Sequence, residues 1–379
     1  MKHFLTLTFL SFLLVTGCEQ KRTTTESTKT TTRTDTATTS DTSATATNRL
    51  AGRLTKVIGF TGAQVTGITI ADNGRMFANF PRWHDFIPFS VVEIMPDGNV
   101  KAYPDSTWNL WNGKPRANQF TCVQSVVAHG NSLYVLDPSS PKMKGVVGNA
   151  MLYEFDLNTN KLKNKYTFDK TVAPAKSYLN DLRVDDKNGR IYITDSGMGA
   201  IVVLDPKTKK AQRFLANHPS TKSENISLKI DGKTWTREGK KPQIHSDGIA
   251  LSPDNDYLFY HALTGYTLYQ VPTAALAAGN EAEIAQNVKN LGKTPAPDGM
   301  IFDKAGNLYM ADLEKNAIVY RTPSGEMRTL VQDSVLKWPD TFTLGKDGQL
   351  YFTLSHLGES EGDISNIEFE IYKFPAVAK

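Results

Sequence analysis

Three aspartates stand at matching places in the chain, each just before or at the start of the first strand of a predicted β-hairpin. They are Asp247, Asp298 and Asp340. Uncharged polar residues hold the matching place in three earlier segments, namely Thr66, Gln124 and Asn180. Carboxylate and amide oxygens suit Ca²⁺, which binds hard oxygen donors, and they also accept hydrogen bonds from a protonated amine. The six residues are therefore our candidate ligand-binding set.

The chemistry expected of this set depends on how close the carboxylates lie. If they crowd together, their repulsion raises their pKa values unless a cation or a hydrogen-bond donor lies between them. A divalent cation, most suitably Ca²⁺, would take Asn180, Asp247 and Asp298 as ligands. The alternative is that each aspartate only caps the backbone of a turn, as an aspartate before a glycine often does.

Acid–base chemistry is a second expectation for the same place. Asp247 or Asp298 is the candidate base. His245 is the candidate acid, because a residue two places before Asp247 in a strand points to the same side. His261 and His356 fall at the ends of second strands, where loops reach toward such a site. The sequence has no phosphate-binding glycine loop, no GxSxG nucleophile motif and no metal-type histidine cluster.

Six segments share one pattern, and that pattern predicts the fold. Each has a polar entry residue, an alternating strand, a hairpin with Gly or Asn, and a second strand with an aromatic residue, as in "PDGMIFDKAGNLYMAD". They begin at Val65, Val123, Leu179, Ser246, Pro297 and Pro339. Alternation with period two and these turn residues indicate antiparallel β-structure. The spacing averages roughly 55 residues, about what a four-stranded propeller blade with its loops requires.

We therefore predict an all-β fold, a six-bladed β-propeller with four-stranded antiparallel blades around a central channel, formed by residues 49–379 as one domain. A pair of β-sandwiches is the alternative, which the regular register disfavours. The innermost strands of a propeller line its channel, so the six polar residues should meet around the axis. A strand near "RLTKVIGF" is expected to close the ring by pairing with the C-terminal "EFEIYKF". One helix is expected over Thr273 to Lys289.

Residues 1–18 have the features of an export signal, with a basic start and a short apolar run from Phe4 to Val15. The run ends in "VTGC", which resembles a bacterial lipoprotein cleavage box and implies cleavage before Cys18 and lipidation of its thiol. An ordinary secretory signal is the alternative. Residues 19–48 are predicted to be a disordered tether, because 17 of the 28 residues at 21–48 are Ser or Thr and none is a large hydrophobic residue. We expect a lipoprotein of the cell envelope, on the periplasmic side or the outer surface.

Charge and cysteine content exclude other classes. The formal net charge is only +4 and the basic residues are scattered, so no nucleic-acid surface is expected. Cys122 is the only cysteine after Cys18, so the exported chain has no internal disulfide. Its apolar surroundings, "FTCVQSVV", predict a buried and unreactive thiol.

At these motifs the chain resembles the Yellow/major royal jelly protein family, in its bacterial form. The resembling stretches include "HSDGIALSPDNDYLFYHALTGYTLYQVPT" and "PDGMIFDKAGNLYMADLEKNAI", and together they span most of Phe120 to Leu354. The resemblance implies a six-bladed propeller that is usually secreted. It also implies two kinds of function, since insect members include proteins with dopachrome-converting activity and salivary relatives bind biogenic amines in the central channel.

The same motifs are more distantly similar to regucalcin and the gluconolactonases, which hold a divalent cation on the axis with a first-blade Glu, an Asn and an Asp. By register, Asp247 and Asp298 fall at the latter two ligand positions, and Asn180 at a substrate or metal-shell position. Thr66 stands in place of the glutamate. That departure weakens the expectation of a lactonase metal site.

Three functions follow as expectations. The favoured one is an envelope-anchored, monomeric propeller that binds a small polar or cationic ligand in its axial pocket, with or without a divalent cation. The second is an enzyme, either a dopachrome-tautomerase-like isomerase or a gluconolactonase-like, metal-dependent lactone hydrolase. The third is a protein-interaction propeller that works through its blade loops.

Overall fold

The computed structural model describes residues 53–377, which form six four-stranded antiparallel sheets arranged as the blades of a β-propeller. Blade 1 contains β2 (Gly67–Ile70), β3 (Met76–Asn79), β4 (Val91–Ile94) and β5 (Val100–Ala102). Blade 2 contains β6 (Ser125–His129), β7 (Ser132–Asp137), β8 (Ala150–Asp156) and β9 (Lys161–Phe168). Blade 3 contains β10 (Leu179–Asp185), β11 (Arg190–Asp195), β12 (Ile201–Asp205) and β13 (Lys210–Phe214).

The second half of the chain continues in the same way after a short hairpin of β14 (Lys229–Ile230) and β15 (Lys233–Thr234). Blade 4 contains β16 (Ser246–Leu251), β17 (Tyr257–Ala262), β18 (Thr267–Pro272) and β19 (Lys289–Lys293). Blade 5 contains β20 (Met300–Phe302), β21 (Leu308–Asp312), β22 (Ala317–Arg321) and β23 (Met327–Gln332). Blade 6 contains β24 (Pro339–Leu344), β25 (Gln349–Leu354), β26 (Glu368–Pro375) and, from the start of the chain, β1 (Thr55–Thr61). The predicted fold class is confirmed.

The ring closes in blade 6, where the first and last strands of the described chain pair. β1 lies antiparallel to β26, with Thr55 opposite Lys373 and Thr61 opposite Glu368. This is the pairing predicted from "RLTKVIGF" and "EFEIYKF". Because the closing strand comes from the opposite end of the chain, the backbone hydrogen bonds of β1 hold the first blade against the last.

The aromatic residues of the second strands fill the space between blades. Tyr192 and Tyr309 are fully buried, and burying such a side chain contributes about 2 kcal/mol. Each also fastens its own hairpin, because its hydroxyl donates a hydrogen bond to an aspartate in the turn. Tyr192 donates to Asp185 (2.8 Å) and Tyr309 to Asp303 (3.0 Å). The repeated aromatic residue therefore indicates both the packing between blades and the hydrogen bond that stabilises each hairpin turn.

The predicted single helix over Thr273 to Lys289 is two short helices, α2 (Thr273–Ala278) and α3 (Glu281–Gln286). Gly279 ends the first in the left-handed conformation, at φ 77°, which glycine adopts without a Cβ clash. Asn280 then caps the second, since its side chain accepts hydrogen bonds from the N–H groups of Ala282 and Glu283. A four-residue helix, α1 (Ser106–Asn109), was not predicted.

The predicted signal peptide, the lipidated Cys18 and the tether lie outside the described residues. Within residues 53–377, no helix has both the length and the apolar character needed to cross a membrane. Cys122 is buried, and burial raises the pKa of its thiol to about 12. The prediction that Cys122 is buried is confirmed, and the raised pKa of its thiol favours the unreactive protonated form.

Candidate functional site: an axial cavity

Five of the six predicted residues line one cavity at the mouth of the central channel. They are Gln124, Asn180, Asp247, Asp298 and Asp340, and the cavity has a volume of about 760 Å³. Each lies within two residues of the first residue of an innermost strand (β6, β10, β16, β20 or β24). Equal register in five blades therefore places these side chains together, although they are spread over more than 200 residues of sequence.

Thr66, the sixth member, is absent from the lining of this cavity. It is fully buried, and its hydroxyl accepts a hydrogen bond from the Asn79 side-chain amide (3.1 Å). Blade 1 therefore contributes packing at this level of the axis. The ring of polar residues is complete in sequence register, but only five of its members face the cavity.

Glycine follows two of the aspartates because the innermost strands pack too closely for a side chain there. A Cβ on Gly248 would lie 2.5 Å from the Asp298 carbonyl oxygen, and one on Gly299 would overlap the Asp340 carbonyl oxygen. Neither glycine has a positive φ. The Asp-Gly pairs thus reflect close approach between neighbouring blades rather than a need for turn flexibility.

Side chains from the preceding blade hold the backbone of three ring residues. The Asn79 amide donates to the Gln124 carbonyl (2.9 Å), the Thr194 hydroxyl to the Asp247 carbonyl (2.7 Å), and the Thr353 hydroxyl to the Thr66 carbonyl (2.7 Å). All three donors are buried. Because each bond crosses a blade boundary, it fixes one ring residue relative to its neighbour in the ring.

Three carboxyl groups crowd together on the floor of the cavity, which Asp247, Asp298 and Asp340 supply from blades 4, 5 and 6. Their residues are only 4%, 7% and 6% exposed. Burial and repulsion from Asp298 and Asp340 raise the pKa of Asp247 well above its ordinary value. Burial and repulsion from Asp298 do the same to the pKa of Asp340. No ion pair within residues 53–377 includes any of the three.

Asp298 is the most acidic of the three. Burial raises its pKa to about 6, and hydrogen bonds from the Trp338 indole N–H (2.7 Å) and from Asp247 limit that rise. Asp247 is the protonated partner of this pair, because the same bond raises its own pKa. Near neutral pH the floor therefore carries fewer than three negative charges, with Asp298 mostly ionised and Asp247 holding a proton.

Hydrogen-bonded neutral groups of blades 1–3 form the opposite wall. The Trp83 indole N–H donates to the Tyr178 hydroxyl (2.7 Å), which donates to the Gln124 side-chain oxygen (2.7 Å). The Asn180 amide donates to Asp247. The wall thus consists of aromatic and neutral polar side chains. Its Asn180 is hydrogen-bonded to the carboxyl groups of the floor through Asp247.

Below the ring the channel narrows to a space of about 10 Å³, too small for more than a single water molecule. Arg183 reaches across this level from blade 3. Its guanidinium pairs with Asp181 (2.7 Å) and donates to the Met300 carbonyl of blade 5 (2.8 Å). A ligand of any size would therefore enter from the other face.

A segment between blades 3 and 4, residues 222–245, covers part of the mouth of the cavity, and we call it the strap. Its hairpin is β14 and β15, and it is anchored where Trp235 packs on Trp338 with ring centroids 4.7 Å apart. The strap places Arg237 in the cavity wall. The mouth is also rich in lysines, both in the strap and around it. They are Lys142, Lys144, Lys176, Lys240 and Lys241.

None of the three histidines named from the sequence lines the cavity. His245 accepts a hydrogen bond at Nδ1 from the Ser223 N–H (2.9 Å), and burial lowers its pKa. Its expected alignment with Asp247 fails because the pairing of β16 with β17 is irregular between Ser246 and Ile249, which disrupts strict alternation. The structure therefore gives no support to His245 as the acid beside Asp247.

The other two histidines are structural. His261 is fully buried and contacts the Thr294 hydroxyl through Nε2 (3.0 Å), and burial lowers its pKa to about 4. His356 contacts Glu370 through Nε2 (2.9 Å). Both lie at or just beyond the ends of second strands, as predicted, but they pack inside blades.

Two residues of the cavity wall, Tyr178 and Arg237, were not predicted from the sequence. Tyr178 lies two residues before Asn180, so the strand register that found Asn180 also pointed to it. Arg237 carries no such signal, because it lies in the strap between two repeats. Only the fold of the strap brings it to the axis.

The predicted calcium ligands lie together but are not arranged as a calcium site. Asn180, Asp247 and Asp298 lie together, but the Asn180 side chain presents its amide nitrogen, not its oxygen, to Asp247. Within residues 53–377, no group of three or more His, Cys, Asp or Glu side chains is arranged as a set of metal ligands. As arranged, these side chains do not supply the six to eight oxygen ligands that Ca²⁺ takes from carboxylates, carbonyl groups and water.

The chain is similar in sequence to the major royal jelly proteins. The family model described as Major royal jelly protein matches residues 126–376. Major royal jelly protein 6 of Apis mellifera is 24% identical over 200 residues, which are 50% of this chain and 44% of the honeybee protein. The chain thus spans less than half of that relative's length.

Two lactone-hydrolase names also occur among the similar proteins. A 6-deoxy-6-sulfogluconolactonase of Pseudomonas putida is 21% identical over 150 residues, 39% of this chain and 51% of that protein. The structure of a gluconolactonase from Xanthomonas campestris aligns with a TM-score of 0.53 at 13% identity, covering 88% of this chain and 93% of that one. At such identity the structural likeness concerns the fold alone.

Proposed function

The chain belongs to the major royal jelly protein family, and from the chemistry of its axial cavity we propose that it binds a small polar or cationic molecule there. One observation carries the proposal. Asp247, Asp298 and Asp340 are buried together, and no Lys or Arg within residues 53–377 forms an ion pair with them. Burying acidic groups without a partner is costly, so such a cluster is typical of a binding site.

A protonated amine suits this floor better than a neutral ligand. An ammonium group close to Asp298 would stabilise its ionised form and relieve the repulsion that now raises the pKa values of its neighbours. The aromatic wall at Trp83 and Tyr178 adds apolar and cation–π contacts for the rest of the molecule.

Calorimetric titration with phenethylamine at pH 7.5 tests the proposal, with the neutral isostere 2-phenylethanol as the comparison ligand. The amine should bind and the alcohol should not. Asp298→Asn should weaken amine binding by about tenfold or more, because a charge-assisted hydrogen bond becomes a neutral one. Asp72→Asn, on an exposed hairpin, is the matched control and should change nothing. Equal affinity of wild type and Asp298→Asn would contradict the proposal.

An isomerase is the second candidate, favoured by the shared proton of Asp247 and Asp298. One carboxyl is protonated and its neighbour is mostly ionised, which is the pairing that acid–base catalysis needs. In such a reaction Asp298 would remove a proton from a carbon beside a carbonyl group while Asp247 gives its proton to the carbonyl oxygen. Turnover of dopachrome, with Asp247→Asn and Asp298→Asn as inactive variants, tests this alternative.

A lactone hydrolase remains the weaker enzymatic alternative, and the calcium site remains a prediction. Hydrolysis of gluconolactone that disappears with a chelator and returns with Ca²⁺ would support it. Amine binding and isomerisation should instead persist in the chelator. The same experiment therefore separates the metal-dependent function from the other two.

We also propose that the protein is exported and held in the cell envelope by lipid on Cys18, as a monomer. The support is the sequence of the first 48 residues alone. Cys18→Ser should move the protein from the membrane fraction to the soluble fraction of the cell. Unchanged membrane association of that variant would contradict the lipid anchor.

A further inference from the structure

Arg237 is an arginine of the cavity wall that has no bonded partner among residues 53–377. It is half-buried, forms no ion pair, and its guanidinium makes no hydrogen bond within that part of the chain. Burial lowers its pKa, because the nearby groups that favour the charged form only partly offset the loss of water. An arginine fork in this condition suits a carboxylate, sulfonate or phosphate, which it can bind with two parallel hydrogen bonds.

The guanidinium lies close to the ring of polar residues. Arg237, Tyr178 and Gln124 all line the same cavity. The Tyr178 hydroxyl in turn donates to the ring residue Gln124 (2.7 Å). Because the cationic group and the ring residues line one cavity of about 760 Å³, one small molecule can contact both.

The strap holds Arg237 in this place. Trp235, two residues earlier, is 6% exposed and packs on Trp338. Trp338 also donates the hydrogen bond to Asp298 (2.7 Å). One aromatic contact thus positions both the cation of the wall and the most acidic carboxyl of the floor.

Charge is divided between the two ends of the cavity. The floor has three carboxyl groups. The lining of the mouth has Arg237 and five lysines against a single acidic residue, Glu238. Two more acidic residues lie just outside it: Asp85 pairs with Lys142, and Glu361 accepts a hydrogen bond from the Glu238 N–H (2.7 Å). A simple cation would have to pass this positive mouth, and a simple anion would meet the acidic floor. A molecule with both charges is attracted at both ends.

We propose that the ligand of the axial cavity is a zwitterion, with an amine against Asp247 and Asp298 and an acidic group against Arg237. This inference rests on the proposed function, because the amine occupies the same floor. It adds that the acidic group determines specificity. A cavity of about 760 Å³ is larger than a simple amine needs and is in the usual range for ligands with two recognition groups.

Matched probes separate the contributions of the two charges. The zwitterions are 4-(aminomethyl)benzoate and 4-(2-aminoethyl)benzoate, the amines benzylamine and phenethylamine, and the acid 4-methylbenzoate. In calorimetric titrations at pH 7.5, at least one zwitterion should bind about tenfold or more tightly than its matched amine. The acid should bind most weakly.

Substitution of the arginine then assigns the gain to its guanidinium. Arg237→Gln should abolish the preference for the zwitterion and leave the affinity for the amine unchanged or higher, whereas Arg237→Lys should keep part of the preference. Arg328→Gln is the matched control, since Arg328 lies on outer strand β23 and pairs with Glu326 (2.7 Å). It should keep the full preference.

The outcomes distinguish this inference from the proposed function. If the amines bind but neither zwitterion binds more tightly, or if Arg237→Gln keeps the preference, the inference is overturned and the proposed function stands. If no amine or zwitterion binds the folded wild type, the proposed function fails and the inference fails with it.

Discussion

Blades 1–3 and blades 4–6 place the same backbone position at the axis but give it opposite chemistry. The first half supplies Thr66, Gln124 and Asn180, and the second supplies Asp247, Asp298 and Asp340. Thr66 and Gln124 are bonded within the first half, to Asn79 and Tyr178 respectively. The carboxyl groups of the second half depend on a shared proton and on Trp338.

The difference shows how a symmetric fold builds an asymmetric site. The propeller determines where six side chains meet, and each blade's own neighbours determine whether its side chain is already satisfied. A ligand is needed only on the unsatisfied side. The comparison therefore predicts that substitutions in blades 4–6 change binding and pH response, while matched substitutions in blades 1–3 change stability or nothing.

The largest effect is expected at the position after the ring residue, where blade 5 has a glycine and blade 2 a serine. Gly299→Ala should lower the free energy of unfolding by about 3 kcal/mol or more, because the new Cβ overlaps the Asp340 carbonyl oxygen and the backbone must shift. The matched residue of blade 2 is Ser125, which already has a Cβ. Ser125→Ala should cost only about 1 kcal/mol, for its hydrogen bond to Asp181 (2.7 Å). Urea unfolding measures both, and a loss below that of Ser125→Ala would show that blade 5 can move.

The next effect is a pH dependence that belongs to blades 4–6. The pKa of Asp298 is higher in the folded chain, about 6 against 3.8, so the folded state binds the proton more tightly than the unfolded state. The contribution of Asp298 to stability is then largest below about pH 4 and is lost as the pH rises toward 6, by about 3 kcal/mol for a pKa difference of about two units. Asp298→Asn should remove this loss and be more stable than wild type at pH 7.

The matched substitution in the other half should act in the opposite sense. Asn180→Asp places a further carboxyl group beside Asp247, so it should destabilise the protein at pH 7 and much less at pH 4. Thermal unfolding from pH 4 to pH 8 measures both variants. Parallel curves for wild type and Asp298→Asn would contradict the pKa assignment.

A smaller effect should follow from removing one indole donor in each half. Trp338→Phe deletes the hydrogen bond that holds down the pKa of Asp298, so this pKa should rise and amine affinity near pH 6.5 should fall severalfold. Trp83→Phe deletes the bond to Tyr178 (2.7 Å) and should leave that pH response unchanged. Amine titrations at several pH values distinguish the two. A similar shift in both variants would mean that the halves are not independent.

The repeat pattern in the sequence predicts the fold and most of the site, because strand register alone places the ring residues. Polar entry, hairpin and aromatic second strand recur often enough to determine six blades, the closing strands and five residues of the cavity. That success has a physical cause. The pattern reports the inter-blade core and the turns, and these two features define the axis.

What the pattern misses lies outside the repeats or depends on local irregularity. Arg237 belongs to the strap, whose path depends on tertiary packing of Trp235. His245 was expected beside Asp247, but the irregular start of β16 turns it away. Thr66 has the same strand register as the other ring residues, but its hydroxyl is hydrogen-bonded to Asn79 and does not line the cavity. Register locates a residue along the axis, and only the neighbouring side chains show whether it faces the cavity.

Thr66 provides the smallest predicted effect and the strictest test of the comparison. Thr66→Val keeps the shape of a fully buried side chain and removes only the acceptor for the Asn79 amide, which still donates to the Gln124 carbonyl (2.9 Å). It should cost about 1 kcal/mol of stability and change amine affinity less than twofold, as measured by urea unfolding and calorimetry. A tenfold loss of affinity would show that Thr66, the ring residue of blade 1, acts in binding, and the division between the two halves would then be wrong.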